Sequence, residues 1–125
     1  MNKIWIIIPL FIWGSDFITN LEYGKMLYKN PRGIGCIKCH SKDAKGAVIA
    51  TYYDSNAQKK ELIAPNIQNV TWKTFYLRVK LSEKIKNNKR KKINFCAMPK
   101  YNYLLDDEIR SIYNYIKSLN KEREL

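Results

Sequence analysis

The sequence Cys36-Ile37-Lys38-Cys39-His40 places two cysteines three positions apart and a histidine directly after the second. This CxxCH spacing is typical of a site at which a c-type haem is attached to the chain. Two thiols so spaced can each bond one of the two vinyl groups along one porphyrin edge, and the adjacent imidazole can bind the iron from one face. Because the chain contains a single histidine, any imidazole ligand must be His40.

The same residues have two other interpretations at this point. A CxxCH sequence also arises by chance in proteins that bind no haem. In addition, the third cysteine, Cys96, can join Cys36, Cys39 and His40 in a zinc site with three sulfur ligands and one nitrogen ligand. A haem, a zinc ion and a chance match therefore have to be distinguished by the rest of the chain.

Length, composition and charge bound the class of protein. With 125 residues, of which 46% are hydrophobic and 13% aromatic, the chain can form one small domain with a packed core. Three cysteines cannot all pair, so no disulfide framework is expected. The formal net charge of +12 favours an acidic partner, an anionic membrane surface or nucleic acid.

Residues 1–15 resemble a secretory signal, which leaves residues 16–125 as the mature domain. Lys3 gives the segment a positive start, and the apolar run at residues 4–13 is too short to span a bilayer but has the length of a signal core. An uncleaved membrane anchor and a buried hydrophobic segment are the alternatives. The signal and the anchor both place the domain in the bacterial periplasm, where a nucleic-acid role is not expected.

The first half of the mature chain contains one predicted helix and a long stretch of predicted loops. Residues 17–30 have helical periodicity, and the helix should end before Pro31. Gly24 costs about 1 kcal/mol relative to alanine inside a helix, which suggests that another helix passes close to it. Residues 41–63 are polar without a clear period and are predicted to form loops. The predicted apolar face of the first helix consists of Phe17, Leu21, Gly24 and Tyr28.

Two further helices are predicted towards the C-terminus. Thr71 is a suitable N-cap for the first of them. The second covers about residues 106–119 and has acidic residues in its first turn, where the helix dipole favours negative charge. Their predicted core positions are Trp72, Phe75, Tyr76 and Val79 in the first helix, and Ile109, Ile112, Tyr113, Ile116 and Leu119 in the second.

The order of these features resembles that of the small soluble monohaem class I c-type cytochromes, over about residues 17–119. In that family a helix precedes the CxxCH sequence, a loop proline follows it, and a Met-Pro pair lies shortly before a C-terminal helix. Here the loop proline is Pro65 and the pair is Met98-Pro99. The resemblance implies an all-α protein with the class I cytochrome c fold, in which three or more helices surround one covalently bound haem.

The resemblance also implies roles for residues at the haem. Met98 would be the distal iron ligand opposite His40, a role that suits its soft thioether sulfur. Pro65 would accept the Nδ1 proton of His40 through its carbonyl, which fixes the tautomer and raises the basicity of the ligand. With Cys36 and Cys39, these are the expected binding residues for one haem c and its iron per chain.

The packing implied by the resemblance and two departures from it can be tested against the structure. The first and last helices should cross closely, with Gly24 facing Ile112 and Tyr115. Ser41 stands where the family often has a glycine, directly after the CxxCH sequence. Cys96 is unusual for the family. It is expected to be a small buried residue, with an intermolecular disulfide or ligation of iron in place of methionine as the alternatives.

The function implied by the resemblance is single-electron transfer. Filled axial positions leave no open site for a substrate, so the chain is expected to be a carrier between larger redox complexes and not an enzyme. One alternative keeps the haem but makes the chain a fixed subunit of a multi-subunit oxidoreductase, for instance a thiosulfate-oxidising or terminal oxidase complex. The remote alternative is a basic zinc-binding protein that binds nucleic acid.

A charge-dense stretch at residues 80–92 contains seven lysines and arginines and one glutamate. It precedes Met98, so it should lie beside the exposed haem face if the Met98 loop covers the haem. The expected partners are redox proteins with acidic docking surfaces, with peripheral contact to an anionic membrane as a further expectation, and the protein should be a monomer. A solvated run without a partner is the alternative. The expected docking residues are Lys84, Lys86, Lys89 and Lys91.

Overall fold

The computed structural model describes residues 17–33, 35–81 and 98–122. In these ranges the chain forms four α-helices and one two-stranded antiparallel sheet. In chain order the elements are α1 (Asn20–Tyr28), α2 (Ile37–His40), β1 (Ala47–Tyr53), β2 (Lys59–Ala64), α3 (Trp72–Leu81) and α4 (Asp106–Lys121). None of the helices in these ranges is long and apolar enough to cross a bilayer. The predicted signal at residues 1–15 lies outside them.

The core is centred on α4. Ile109, Ile112 and Ile116 are at most 1% exposed, and their spacing places them on one face of the helix. Tyr28 from α1 and Phe75 from α3 pack against this face. The prediction for α4 is therefore confirmed in position and for these three isoleucines. The predicted Tyr113 and Leu119 are only half-buried.

The first and last helices pack against each other at Gly24. Gly24 is buried, and a Cβ at this position would fall on the carbonyl oxygen of Ser111 and come close to Cβ of Tyr115. The expected close crossing is confirmed, with Tyr115 as one neighbour. The other nearest group is the backbone of Ser111, where the resemblance implied Ile112.

The prediction for the first helix is wrong at its start. A capping box between Thr19 and Glu22 begins α1 later than the periodicity suggested, because the two residues satisfy each other's backbone N–H groups. Phe17 lies before this cap and is 99% exposed. Of the predicted apolar face, Gly24 and Tyr28 are the buried members.

The stretch after the CxxCH sequence forms a β-hairpin where loops were predicted. β1 pairs antiparallel with β2, with a β-bulge between Val48 and Ala50. The strand sequence AVIATYY is rich in β-branched and aromatic residues, which favour a pleated strand. The turn is closed by Asp54, whose carboxylate oxygen accepts the N–H groups of Asn56 and Gln58 at 2.9 and 3.0 Å. The described residues therefore contain helices, as the resemblance implied, but they are not all-α.

The two ends of this hairpin meet in a narrow neck beside the CxxCH helix. Ala47 pairs with Ala64 at the open end of the sheet. Gly46 has a φ of +90°, and a Cβ there would fall on the carbonyl oxygen of Ala64. The Gly46 N–H donates to the carbonyl of His40 at 3.0 Å. The strands beyond the neck are largely exposed, and every residue of β1 is solvent-accessible.

Replacing Gly24 with alanine should destabilise the protein, because the new methyl group would meet a backbone carbonyl that cannot move without shifting α4. Overpacking of this kind costs about 1–3 kcal/mol, which thermal unfolding of the haem-loaded protein will show as a lower midpoint. Lys25→Ala is the matched control, since Lys25 is an exposed neighbour in the same helix. Equal unfolding midpoints for the two variants would contradict the close crossing.

Candidate functional site

The CxxCH residues fold into a single helical turn. The carbonyl of Cys36 accepts the N–H groups of Cys39 and His40, at 3.3 and 2.9 Å. Residues three and four positions apart lie on the same side of such a turn. As a result Cys36, Cys39 and His40 all line one cavity.

This cavity has a volume of about 430 Å³, within the range of about 300–1,000 Å³ that is usual for cofactor sites. Its walls come from α2, from the base of the hairpin, from α3 and from the segment that begins at Met98. Most of the side chains that line it are apolar. Those beyond the CxxCH helix include Ile49, Leu62, Ile63, Ile67, Val70, Phe75, Val79, Met98, Pro99 and Tyr101.

The His40 side chain is buried and is oriented by a backbone carbonyl. Its Nδ1 lies 3.0 Å from the carbonyl oxygen of Pro65, which follows β2 directly. A carbonyl oxygen can only accept, so Nδ1 carries the proton and Nε2 keeps the lone pair that a metal ligand needs. The placement of Pro65 agrees with the role that the resemblance gave it, and the hairpin spans the sequence between the two partners.

The backbone turns sharply immediately after His40. Ser41 has φ 65° and ψ 171°, a conformation that is essentially reserved for glycine and costs on the order of 1–3 kcal/mol for other residues. The Ser41 carbonyl accepts the Tyr28 hydroxyl at 2.6 Å and the Ala44 N–H at 3.3 Å. Together with the bond from Gly46 to the His40 carbonyl, these contacts hold the turn in place.

Met98 is half-buried and lies on the cavity wall. The segment that follows it is tied to α3 by two hydrogen bonds. The Tyr101 N–H donates to the carbonyl of Val79 at 2.9 Å, and the Lys80 ammonium donates to the carbonyl of Leu104 at 2.6 Å. Lys80, the first residue of the charge-dense stretch, is therefore committed to an internal contact. The position of Met98 depends on α3 as well as on its own loop.

Arg78 is a lining residue that the sequence analysis missed. It is half-buried on α3 and is the one lysine, arginine, aspartate or glutamate among the described residues that line the cavity. Its spacing of three positions from the buried Phe75 was the available signal, since such residues share a helix face. An arginine beside an apolar cavity is suited to pair with a carboxylate on a bound group.

Burial keeps the Cys36 thiol protonated at neutral pH. Desolvation is the main cause that raises the pKa of Cys36 to about 12. A thioether forms when such an S–H group adds across a vinyl double bond. In the part of the chain that the structure describes, no group of three histidine, cysteine, aspartate or glutamate residues is placed to hold a metal ion. Cys96 lies outside that part.

Comparison with known proteins decides the family. The family model described as Cytochrome c matches residues 21–120. The chain belongs to the cytochrome c family. Its cofactor is accordingly covalently attached haem c with iron, and its fold is the cytochrome c fold. The search of curated proteins and the search of solved structures each found no match.

The residues of this cytochrome fit such a group. Cys36, Cys39 and His40 from the CxxCH helix line an apolar cavity, and Met98 and Arg78 are also among its lining residues. The zinc and chance-match interpretations are set aside, since the family binds haem c. The expected docking residues Lys84, Lys86, Lys89 and Lys91, and the expected burial of Cys96, fall outside the described residues and stay predictions.

Each cysteine of the CxxCH helix should carry one thioether. Denatured wild-type protein should keep the full haem mass and its visible absorbance, because both links are covalent. Cys36→Ala and Cys39→Ala should each retain haem through the other link, and the double variant should release it to acid-acetone extraction. Cys96→Ala is the control and should keep the full mass with two thioethers. Haem that stays bound to the denatured double variant would contradict the assignment.

Proposed function

We propose that this cytochrome is a single-electron carrier that shuttles electrons between larger redox complexes outside the cytoplasm. The observation that carries the proposal is that His40 and Met98 line the same apolar cavity as the two cysteines. When bound, haem c supplies an iron that changes its oxidation state by one electron. Ligands on both faces of that iron would leave no position for a substrate, which suits transfer and not catalysis.

Several groups of the site contribute to the reduction potential. Pro65 holds the His40 ring and makes it a more basic ligand, which favours the oxidised state. Met98 offers a soft sulfur, which favours the reduced state and raises the potential. The apolar walls from the hairpin base and α3 keep water away from the site. Arg78 would pair with the carboxylates of the porphyrin and neutralise them at the cavity edge.

The location and the partners belong to the same proposal. The signal-like residues 1–15 support a periplasmic domain, either released or held by an uncleaved anchor. The net charge of +12 supports redox partners with acidic docking surfaces, with which the monomer would form short-lived complexes. A complex that survives purification at high salt would favour the alternative of a fixed subunit in a multi-subunit oxidoreductase.

Met98→Ala should abolish the weak long-wavelength absorption band of oxidised protein that comes from thioether ligation of iron. It should also lower the reduction potential, because a soft ligand that stabilises the reduced state is lost. Met26→Ala is the matched control, since Met26 is an exposed methionine on α1 and lies away from the cavity lining. A band that survives in Met98→Ala would exclude this residue as the distal ligand.

Replacement of Lys84, Lys86, Lys89 and Lys91 with glutamine should slow electron transfer to an acidic partner by about tenfold at low ionic strength. Added salt should shrink the difference, because it screens the attraction. The control replaces four exposed lysines elsewhere, namely Lys25, Lys29, Lys59 and Lys121, with glutamine. Equal slowing in both variants would mean that net charge matters and the stretch does not. A wild-type rate that does not change with salt concentration would contradict the proposal that the partners are acidic.

A further inference from the structure

The hydroxyl of Tyr28 makes a contact that ring packing does not require. Tyr28 is fully buried between α1 and α4, and its ring packs on Tyr115 at a centroid distance of 5.5 Å. A phenylalanine would keep that ring contact. The hydroxyl reaches past it and donates to the Ser41 carbonyl at 2.6 Å. A buried hydroxyl group with one short bond to a backbone carbonyl points to a role in placing that backbone.

The carbonyl that Tyr28 binds belongs to the strained residue directly after the haem-binding histidine. Ser41 occupies a backbone conformation that glycine adopts freely and serine does not. Such a conformation persists when the surrounding contacts determine it. The Tyr28 hydroxyl comes from a different helix, so it transmits the position of α1 to the turn.

His40 is thus held at two places by two different parts of the chain. The Pro65 carbonyl holds the ring through Nδ1 at 3.0 Å. On the other side, the peptide that leaves His40 leads into Ser41, whose carbonyl is held by Tyr28. A ring that is hinged on a displaced backbone cannot keep the same orientation against a fixed Pro65 carbonyl.

We propose that Tyr28 is a positioning residue, which sets the orientation of the His40 imidazole through its hydroxyl bond to Ser41; the inference rests on the proposed role of His40 as an iron ligand. Burial raises the pKa of Tyr28 above its ordinary value, so the hydroxyl stays a donor at neutral pH. The contact joins the α1–α4 crossing to the axial ligand. The surroundings of the haem iron therefore depend on Tyr28, although Tyr28 does not line the cavity.

The test uses the complete, haem-loaded protein with Tyr28→Phe. In the oxidised state, the paramagnetic shifts of the four haem methyl groups depend on the orientation of the axial imidazole plane. Their pattern should change in the variant, and exchange of the His40 Nδ1 proton should speed up by about an order of magnitude, because local opening becomes easier. Tyr23→Phe is the matched control, since Tyr23 also lies on α1 and its hydroxyl donates to a carboxylate oxygen of Glu108 at 3.0 Å, away from the cavity lining.

A second variant separates positioning from mere stability. In Tyr28→Phe combined with Ser41→Gly, the glycine adopts the turn without strain, so the wild-type methyl pattern should return even though the hydroxyl is still missing. A wild-type pattern in Tyr28→Phe alone would overturn the proposal, as would an equal change in Tyr23→Phe or a failure of the double variant to recover the pattern. If Tyr28→Phe alone does not fold, the double variant decides by the same criterion.

The wild-type spectrum tests the underlying assignment separately. Ring protons of an iron-bound His40 must show strong paramagnetic shifts in the oxidised protein. Their absence would overturn the proposed role of His40, whatever the Tyr28 variants do. Their presence together with an unchanged pattern in Tyr28→Phe would overturn the positioning role alone.

Discussion

The close contact of α1 with α4 at Gly24 is the constraint on which the rest of the structure depends. Without a Cβ at this position, the α1 backbone can rest on the Ser111 carbonyl. The contact joins the two ends of the described chain, so that the segments between them have to close around the cavity. One turn further along α1, Tyr28 is carried to the centre of the core and to the loop that leaves His40. A short helix with few buried side chains thereby contacts the loop that follows the CxxCH helix.

The site combines groups that are local in sequence with groups that are distant. The two thiols and the imidazole are brought together by one turn of α2, which needs little help from the rest of the fold. The Pro65 carbonyl comes from beyond the hairpin. Met98 comes from a segment that Val79 and Lys80 tie to α3. The two thiols and the imidazole are thus placed by local structure, whereas the positions of Pro65 and Met98 at the cavity depend on tertiary contacts.

The sequence was a good guide where a signal is local or strictly periodic. The helix α4 follows from apolar residues at helical spacing with acids in its first turn, and the haem-attachment site follows from the CxxCH spacing. The start of α1 was misjudged because the capping box of Thr19 and Glu22 begins the helix after the apolar pattern has already started at Phe17. Local side-chain hydrogen bonds override periodicity at helix ends.

Other features could not be found because their cause lies in contacts between distant residues. The hairpin was missed because its polar surroundings outweighed a strand-like run of β-branched and aromatic residues. Arg78 was missed since its helix was judged by its apolar positions alone. The bond from Tyr28 to Ser41 cannot be inferred from either residue type. A serine where glycine is usual gave only a hint that the turn after His40 needs support.

The pinned neck of the hairpin has a consequence for how this chain can change. Both ends of the hairpin are held at one place by contacts among the His40 carbonyl, Gly46 and Ala64. The turn that begins at Asp54 lies at the opposite end of the hairpin. The entropic cost of closing a loop rises only slowly with its length. Residues can therefore be inserted at the turn without moving either anchor of the imidazole. The hairpin tip is therefore a natural point for attaching a label, a fused domain or an electrode tether. The fold thus separates the hairpin tip, whose length can vary, from the neck, where close backbone contacts fix the chain.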